Sequence, residues 1–195
     1  MTRWVIRTPT TDFAPAVAAA RAGREVVACS AGPDLPGTVG GLGMTWDLTT
    51  TAPPSAVLPD LSASADAVPL IPVAAQQVPL AGRRIKRTLL LRVRPGTPDD
   101  IRARFEADLT AMPAHITAIR SWALSRVDTA RQPATPWTHV WEQEFTDPDG
   151  LNGEYLLHPY HWTHVDRWFD SEIPSAIVEP AIAHLFRWAD EPILR

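Results

Sequence analysis

The stretch KRTLLLRVRPGTPDDI, residues 86–101, reads as a strand, a turn and the opening of a helix. Leu89, Leu91 and Val93 alternate with Thr88, Arg92 and Arg94, the two-residue period of a strand over Lys86–Arg94. Pro95 and Gly96 stop it. Thr97 then offers an N-cap hydroxyl, and Pro98 suits the first helical position, where no N–H is needed. Asp99 and Asp100 favour the positive start of the helix. Ile101, Phe105, Leu109 and Met112 recur at helical spacing, so one helix face buries against a sheet, and Pro113 is expected to end the helix.

Working outward, residues 119–127 form the next strand, with Trp122 and Leu124 alternating against Ser121, Ala123 and Ser125. A loop rich in Pro, Thr and Ala follows over 128–136. The third strand, 137–145, places Trp137, His139, Trp141, Gln143 and Phe145 on one face. A short helix begins near Asp149, a second starts at Pro159, and the last strand covers 182–188. Strand, helix, strand, strand, helices, strand is the split βαβ order of a ferredoxin-like unit.

The first half is a fainter copy of this order. Residues 3–7 resemble a strand, 12–22 a helix with Asp12 near its start, 25–30 a strand and 42–49 another. Met44-Thr-Trp-Asp there occupies the place of Trp137-Thr-His-Val in the second half. A Pro- and Ala-rich stretch, 52–70, replaces the second-helix region, 73–80 supplies a closing strand, and 81–85 join the halves. The expected fold is α+β: tandem ferredoxin-like units, a degenerate one over residues 1–82 and a well-formed one over 83–195, paired into an intramolecular, pseudo-dimeric α+β barrel. The rival arrangement is an N-terminal extension wrapped around one domain.

A net charge of −4 provides no basic footprint for nucleic acid, and no 18-residue apolar span points to a membrane. The chain enters its first strand directly after Met1, without a signal-peptide pattern, so the cytoplasm is the expected location. Cys29 is the sole cysteine, which excludes an internal disulfide and a cysteine zinc site. The glycine-rich run 37–43 lacks the Lys-Ser/Thr of a phosphate cradle and reads as a connection between strands.

All six histidines lie in the second half, and the segment 153–164, GEYLLHPYHWTH, holds three of them with both tyrosines. Imidazole titrates near neutrality and a phenol holds or donates a proton, so the cluster points to proton chemistry on a small molecule. The bland reading is that these residues cap and pack a helix pair. A metal site is a further rival, but Pro159 interrupts the spacing of His158, His161 and His164, and no His-Glu-x-x-His arrangement is present.

From Arg87 to Asp190 the chain resembles the stress-responsive A/B barrel (Dabb) family. The resemblance rests on Leu89-Leu-Leu-Arg-Val-Arg-Pro-Gly, Met112-Pro-Ala-His-Ile, Ile119-Arg-Ser-Trp, Trp137-Thr-His-Val and Tyr155-Leu-Leu-His-Pro-Tyr-His161. Domains of that family typically pair so that two sheets form an α+β barrel, a pairing that a tandem chain makes internally. Olivetolic acid cyclase-type polyketide cyclases are the best understood enzymatic relatives; the family also includes hydroxynitrile lyases and members without established activity. By that resemblance Tyr155 and His161 fall at the catalytic positions, and His139 at a pocket-lining strand position. The acidic residue that supports the histidine from the last strand in those cyclases falls at Ala189 or Asp190.

On this basis His161, in the first turn of a helix that disfavours its charged form, acts as general base, and Tyr155 as oxyanion donor. His139, His158, Trp137, Trp141, Trp122 and Phe105 are expected to contact substrate, although His158 reads first as a helix cap and His139 equally as a core histidine. The expected function is cofactor-independent, aldol-type cyclisation of a hydrophobic, polyketide-like poly-β-carbonyl molecule by a monomeric pseudo-dimer. The alternatives are a non-catalytic barrel that binds a hydrophobic ligand or a protein, or a lyase, isomerase or pericyclase using the same pocket. The discriminating feature is whether Tyr155 and His161 share a cavity or whether tryptophans fill that space.

Overall fold

A computed structural model describes residues 1–9, 14–58, 64–78, 80–190 and 194. The strands are β1 (Thr2–Thr8), β2 (Val26–Pro33), β3 (Met44–Thr50), β4 (Asp66–Gln76), β5 (Arg84–Leu91), β6 (Trp122–Val127), β7 (His139–Phe145) and β8 (Ala183–Ala189). Helices α1 (Ala14–Ala22), α2 (Pro54–Val57) and α3 (Asp99–His115) lie between them. Two short π-helical segments, Gly150–Tyr155 and His161–Val165, and a 3-10 turn, Asp166–Trp168, precede β8.

The strands form one antiparallel sheet in the order β2-β3-β1-β4-β6-β7-β5-β8. Within each half the spatial order is second, third, first, fourth, so both halves are ferredoxin-like. They join where Leu70 of β4 pairs with Val127 of β6. At the opposite seam the glycine-rich connection reaches β8. Leu35 N donates to Phe186 O at 2.8 Å, and Val39 and His184 exchange backbone bonds at 2.9 and 2.8 Å. Gly40 is required here: its φ is +69°, and a Cβ would stand 3.1 Å from Ala183. The sheet thus curls into a nearly closed α+β barrel.

Strand alternation sorts three cores. Outside the second half, Leu89, Leu91, Trp141 and Phe145 pack on Phe105, Leu109 and Met112 of α3. Outside the first half, Trp4, Ile6, Trp46 and Leu48 pack on Ala20 and Leu58. The barrel interior holds Val5, Val68, Leu70, Leu90, Val140 and Leu185, drawn from both halves. It also holds buried charges. Arg3 binds Glu142 through both terminal nitrogens and Asp47 at 2.9 Å. Lys86 donates to Glu142 at 2.6 Å, and Arg187 to Asp47 at 2.6 Å.

Several sequence expectations shift. The closing strand of the first half starts at Asp66, not near 73, despite Pro69 and Pro72; a bulge between Pro72 and Ala74 absorbs the second missing donor. Strand β5 begins at Arg84, within the expected linker. Pro98 is the N-cap of α3, because the Thr97 hydroxyl donates to Arg94 O at 2.7 Å. Pro113 lies inside the last turn, and α3 runs to His115, closed by Ile116 N donating to Met112 O at 2.9 Å. Asp12, expected near the start of α1, lies outside the described residues.

Candidate active site

The segment after β7 carries Gly150 and Gly153, poor helix formers, and then Pro159, which has no N–H for a continuous ladder. Two widened turns result, separated at His158, and π-type turns recur at functional sites. The first ends on Tyr155 and the second begins on His161. Their rings meet edge to face, centroids 4.8 Å apart at 72°. Both line a cavity of about 190 Å³ with Arg87, Leu89, Leu109, Trp141, Val165, Asp166, Phe169, Ile182 and His184.

Tyr155 is 1% exposed. Burial foremost pushes its phenol above the usual tyrosine range, against the opposing Arg87 charge, so it stays protonated and able to donate. Burial likewise depresses His161, outweighing the nearby Asp166 carboxylate, and Arg87 adds to the depression. His161 Nδ1 lies 3.2 Å from Asp166 Oδ1, within ion-pair reach but outside hydrogen-bond alignment. The imidazole is therefore neutral, with a carboxylate beside it to stabilise a captured proton.

Arg87 of β5 reaches the same space. Its Nε donates to His184 Nε2 at 2.6 Å, its Nη1 bonds the Gln143 side-chain oxygen, and its guanidinium carbon lies 5.0 Å from the Tyr155 ring centroid. Accepting that bond requires an unprotonated Nε2. Burial, then the Arg87 charge and the proximity of His161, push His184 down to about 3.

Of the expected substrate contacts, Trp141 lines the cavity and the others do not. His139 bonds Glu106 at 3.0 Å and packs edge-on to Phe105, which makes it a satisfied core histidine. Burial lowers its pKa despite Glu106. Phe105 is sealed among His139, Trp168 and Phe169. Trp122 packs on Trp141 and donates to Gln76 at 3.3 Å. Trp137 precedes β7 and escapes its alternation: it joins the barrel interior, its indole donating to Asp66 at 2.9 Å. His158 acts as a cap, its Nδ1 accepting from Tyr160 N at 3.1 Å.

The carboxylate beside His161 is also not on the last strand. Ala189 is buried without a charge, and Asp190 is exposed near Arg83 at 3.7 Å. Asp166 takes that place. His164 stacks on Tyr160, centroids 4.3 Å apart, and the three helix histidines do not converge. Among the described residues no group of three His, Cys, Asp or Glu is placed to hold a metal. Asp166, Arg87 and His184 also line the cavity and are not among the residues expected from the sequence. The signal for Arg87 is an arginine on the otherwise apolar Ile85–Leu89–Leu91 face of its strand.

Comparison with known proteins agrees with this architecture. Residues 85–178 match the model of the Stress Responsive A/B Barrel Domain. No curated protein matches the chain. Three solved structures share the whole fold at low identity. One, from Lactobacillus acidophilus NCFM and named a "putative monooxygenase", has a TM-score of 0.64 at 8% identity, over 100% of this chain and 98% of its own. A Fusobacterium nucleatum protein of the same name has 0.62 at 10%, over 99% and 95%. A staphylococcal protein named a major regulator of pathogenesis has 0.57 at 9%, over 95% and 98%. Such identities carry the fold alone, and their length shows that the tandem barrel is shared as a whole. Among the described residues no helix is long and apolar enough to cross a membrane. Residues 85–178, slightly under half of the chain, are thus similar to the stress responsive A/B barrel family.

Proposed function

We propose that the protein is a cofactor-independent cyclase of the cytoplasm, closing a ring on a polyketide-like poly-β-carbonyl molecule by an aldol step. Residues 83–195 carry the site, and residues 1–82 act as a degenerate unit that completes the barrel. The observation that supports this reading is the edge-to-face meeting of Tyr155 and His161 on the wall of one cavity. There burial keeps the imidazole neutral and the phenol protonated.

His161 removes a proton from a methylene flanked by two carbonyls. The resulting enolate carbon attacks a distant ketone carbon of the same chain; a carbon–carbon bond forms and the carbonyl π bond breaks. Tyr155 O–H donates to the oxygen on which negative charge develops. The imidazolium, held beside Asp166, returns its proton to that oxygen, and loss of water follows as the ring becomes conjugated. Leu89, Leu109, Trp141, Val165, Phe169 and Ile182 supply an apolar wall. An apolar cavity of about 150 Å³ admits benzene, so 190 Å³ suits a single small ring.

The test is incubation of a synthetic tetraketide β-polyketo acid with the protein, in air and without oxygen, with products weighed by mass spectrometry. A ring product lighter than substrate by one water, formed equally under both conditions and with chelator, is expected. An oxygen-dependent product carrying an added oxygen atom would favour the activity named for two of the structural neighbours. No product at all would favour a ligand-binding barrel.

A further inference from the structure

Among the described residues four cations are buried: Arg84, Lys86, Arg87 and Arg187. Lys86 and Arg187 contact Asp47 or Glu142, and Arg84 stands 3.7 Å from Glu144. Arg87, 4% exposed, has no carboxylate partner among the described residues. What surrounds it instead is a set of neutral groups with their negative ends turned towards it: the His184 Nε2 lone pair, the Gln143 side-chain oxygen and the Tyr155 ring face. These fix the plane of the guanidinium without cancelling its charge. Nη2 donates to no described residue, and Arg87 lies on the cavity wall.

A buried charge without a counter-ion is costly, and a guanidinium is shaped for two parallel bonds to a carboxylate. The Trp141 indole N–H, on the same wall, also lacks a partner among the described residues. The pocket thus offers a fixed cation and an unpaired donor next to the Tyr155–His161 pair.

We propose that the cavity binds a substrate bearing a free carboxylate, which docks on the Arg87 guanidinium while Tyr155 and His161 work on its ring-forming carbons. The substrate class is then a one-ring-sized β-polyketo acid and not its thioester or a neutral ketone. The carbon skeleton in this assignment rests on the cyclase reading; the carboxylate subsite rests on Arg87. His184 and Gln143 are positioning residues that aim the guanidinium.

Calorimetric titration with 2,4-dihydroxybenzoate and with its primary amide tests the subsite without turnover. The wild-type protein should bind the carboxylate about 10- to 100-fold more tightly than the amide, the range of a charge-assisted bond. Arg87→Gln should remove that preference, and Arg87→Lys should retain part of it. Equal wild-type affinities, no detectable binding of either, or a preference that survives in folded R87Q overturns the proposal. Should R87Q fail to fold by circular dichroism, the wild-type comparison decides alone. Carboxylate preference in a protein that forms no ring would sink the cyclase reading and leave the subsite standing. Ring closure indifferent to the carboxylate would do the reverse.

Discussion

His161 and Asp166 are five residues apart, yet their side chains come within 3.2 Å. The cause is the π-type turn between them, closed by Asp166 N donating to His161 O. A widened turn brings residues five apart over one another, which the tighter α-helix does not. Asp166 raises the basicity of an imidazole that burial lowers. Asp166→Asn should therefore reduce turnover about 3- to 10-fold and move the acid limb of the kcat/KM profile to lower pH. A rate and profile identical to wild type would separate Asp166 from the site.

Burial first of all holds His139, His161 and His184 below the usual histidine range in the folded state. The unfolded chain takes up these protons near pH 6.5. This contribution to stability is complete above about pH 6.5 and is lost as pH falls from there towards the folded values. Urea midpoints should fall between pH 7.5 and 5, and His184→Gln, which keeps an acceptor for Arg87 but cannot titrate, should flatten the decline. A midpoint constant across that window would contradict the neutral-imidazole assignment.

Glu142 anchors the charge network that ties the halves together inside the barrel, through Arg3 and Lys86. Glu142→Gln leaves the buried Lys86 and the half-buried Arg3 short of a counter-ion, and removing one partner of a buried ion pair costs about 3–5 kcal/mol. Urea denaturation should show that loss as a single transition, since the network joins both halves. A change below about 1 kcal/mol would mean that the network is solvated.

The connection after β2 bonds β8 within the chain through Leu35 and Val39, which supports the proposal that the barrel needs no second copy. Light scattering should report a particle near 21.4 kDa. The first half holds no His and no Tyr, so titration with a tight product analogue should give one site per chain. A stable dimer or two equivalent sites would refute the internal pairing.

The alternation of Leu89, Leu91 and Val93 and the helical spacing of Phe105, Leu109 and Met112 were legible because each reports a single buried face. The second buried face of β5 was not. Lys86 and Arg84 look like solvent-facing residues until Asp47 and Glu144 are brought to them by distant strands. Pro69 and Pro72 hid β4, whose bulge is a tertiary accommodation. At the site, the Tyr155–His161 spacing was visible, whereas the Arg87–His184 contact joins positions 97 residues apart. Trp137 takes the opposite face from the one its alternation predicts because β7 starts only at His139. The sequence leaves both readings of His139 open because Glu106, its partner, lies on α3 and not in its own strand.

The most direct test of the proposed chemistry is the rate of ring closure on the β-polyketo acid in His161→Gln and Tyr155→Phe, each confirmed folded. Loss of the base should reduce turnover about 10²–10⁴-fold, and loss of the phenol hydroxyl about 10²–10³-fold. His164→Ala, whose ring stacks on Tyr160 away from the cavity, should retain the wild-type rate. Wild-type turnover in the His161→Gln protein would contradict the account.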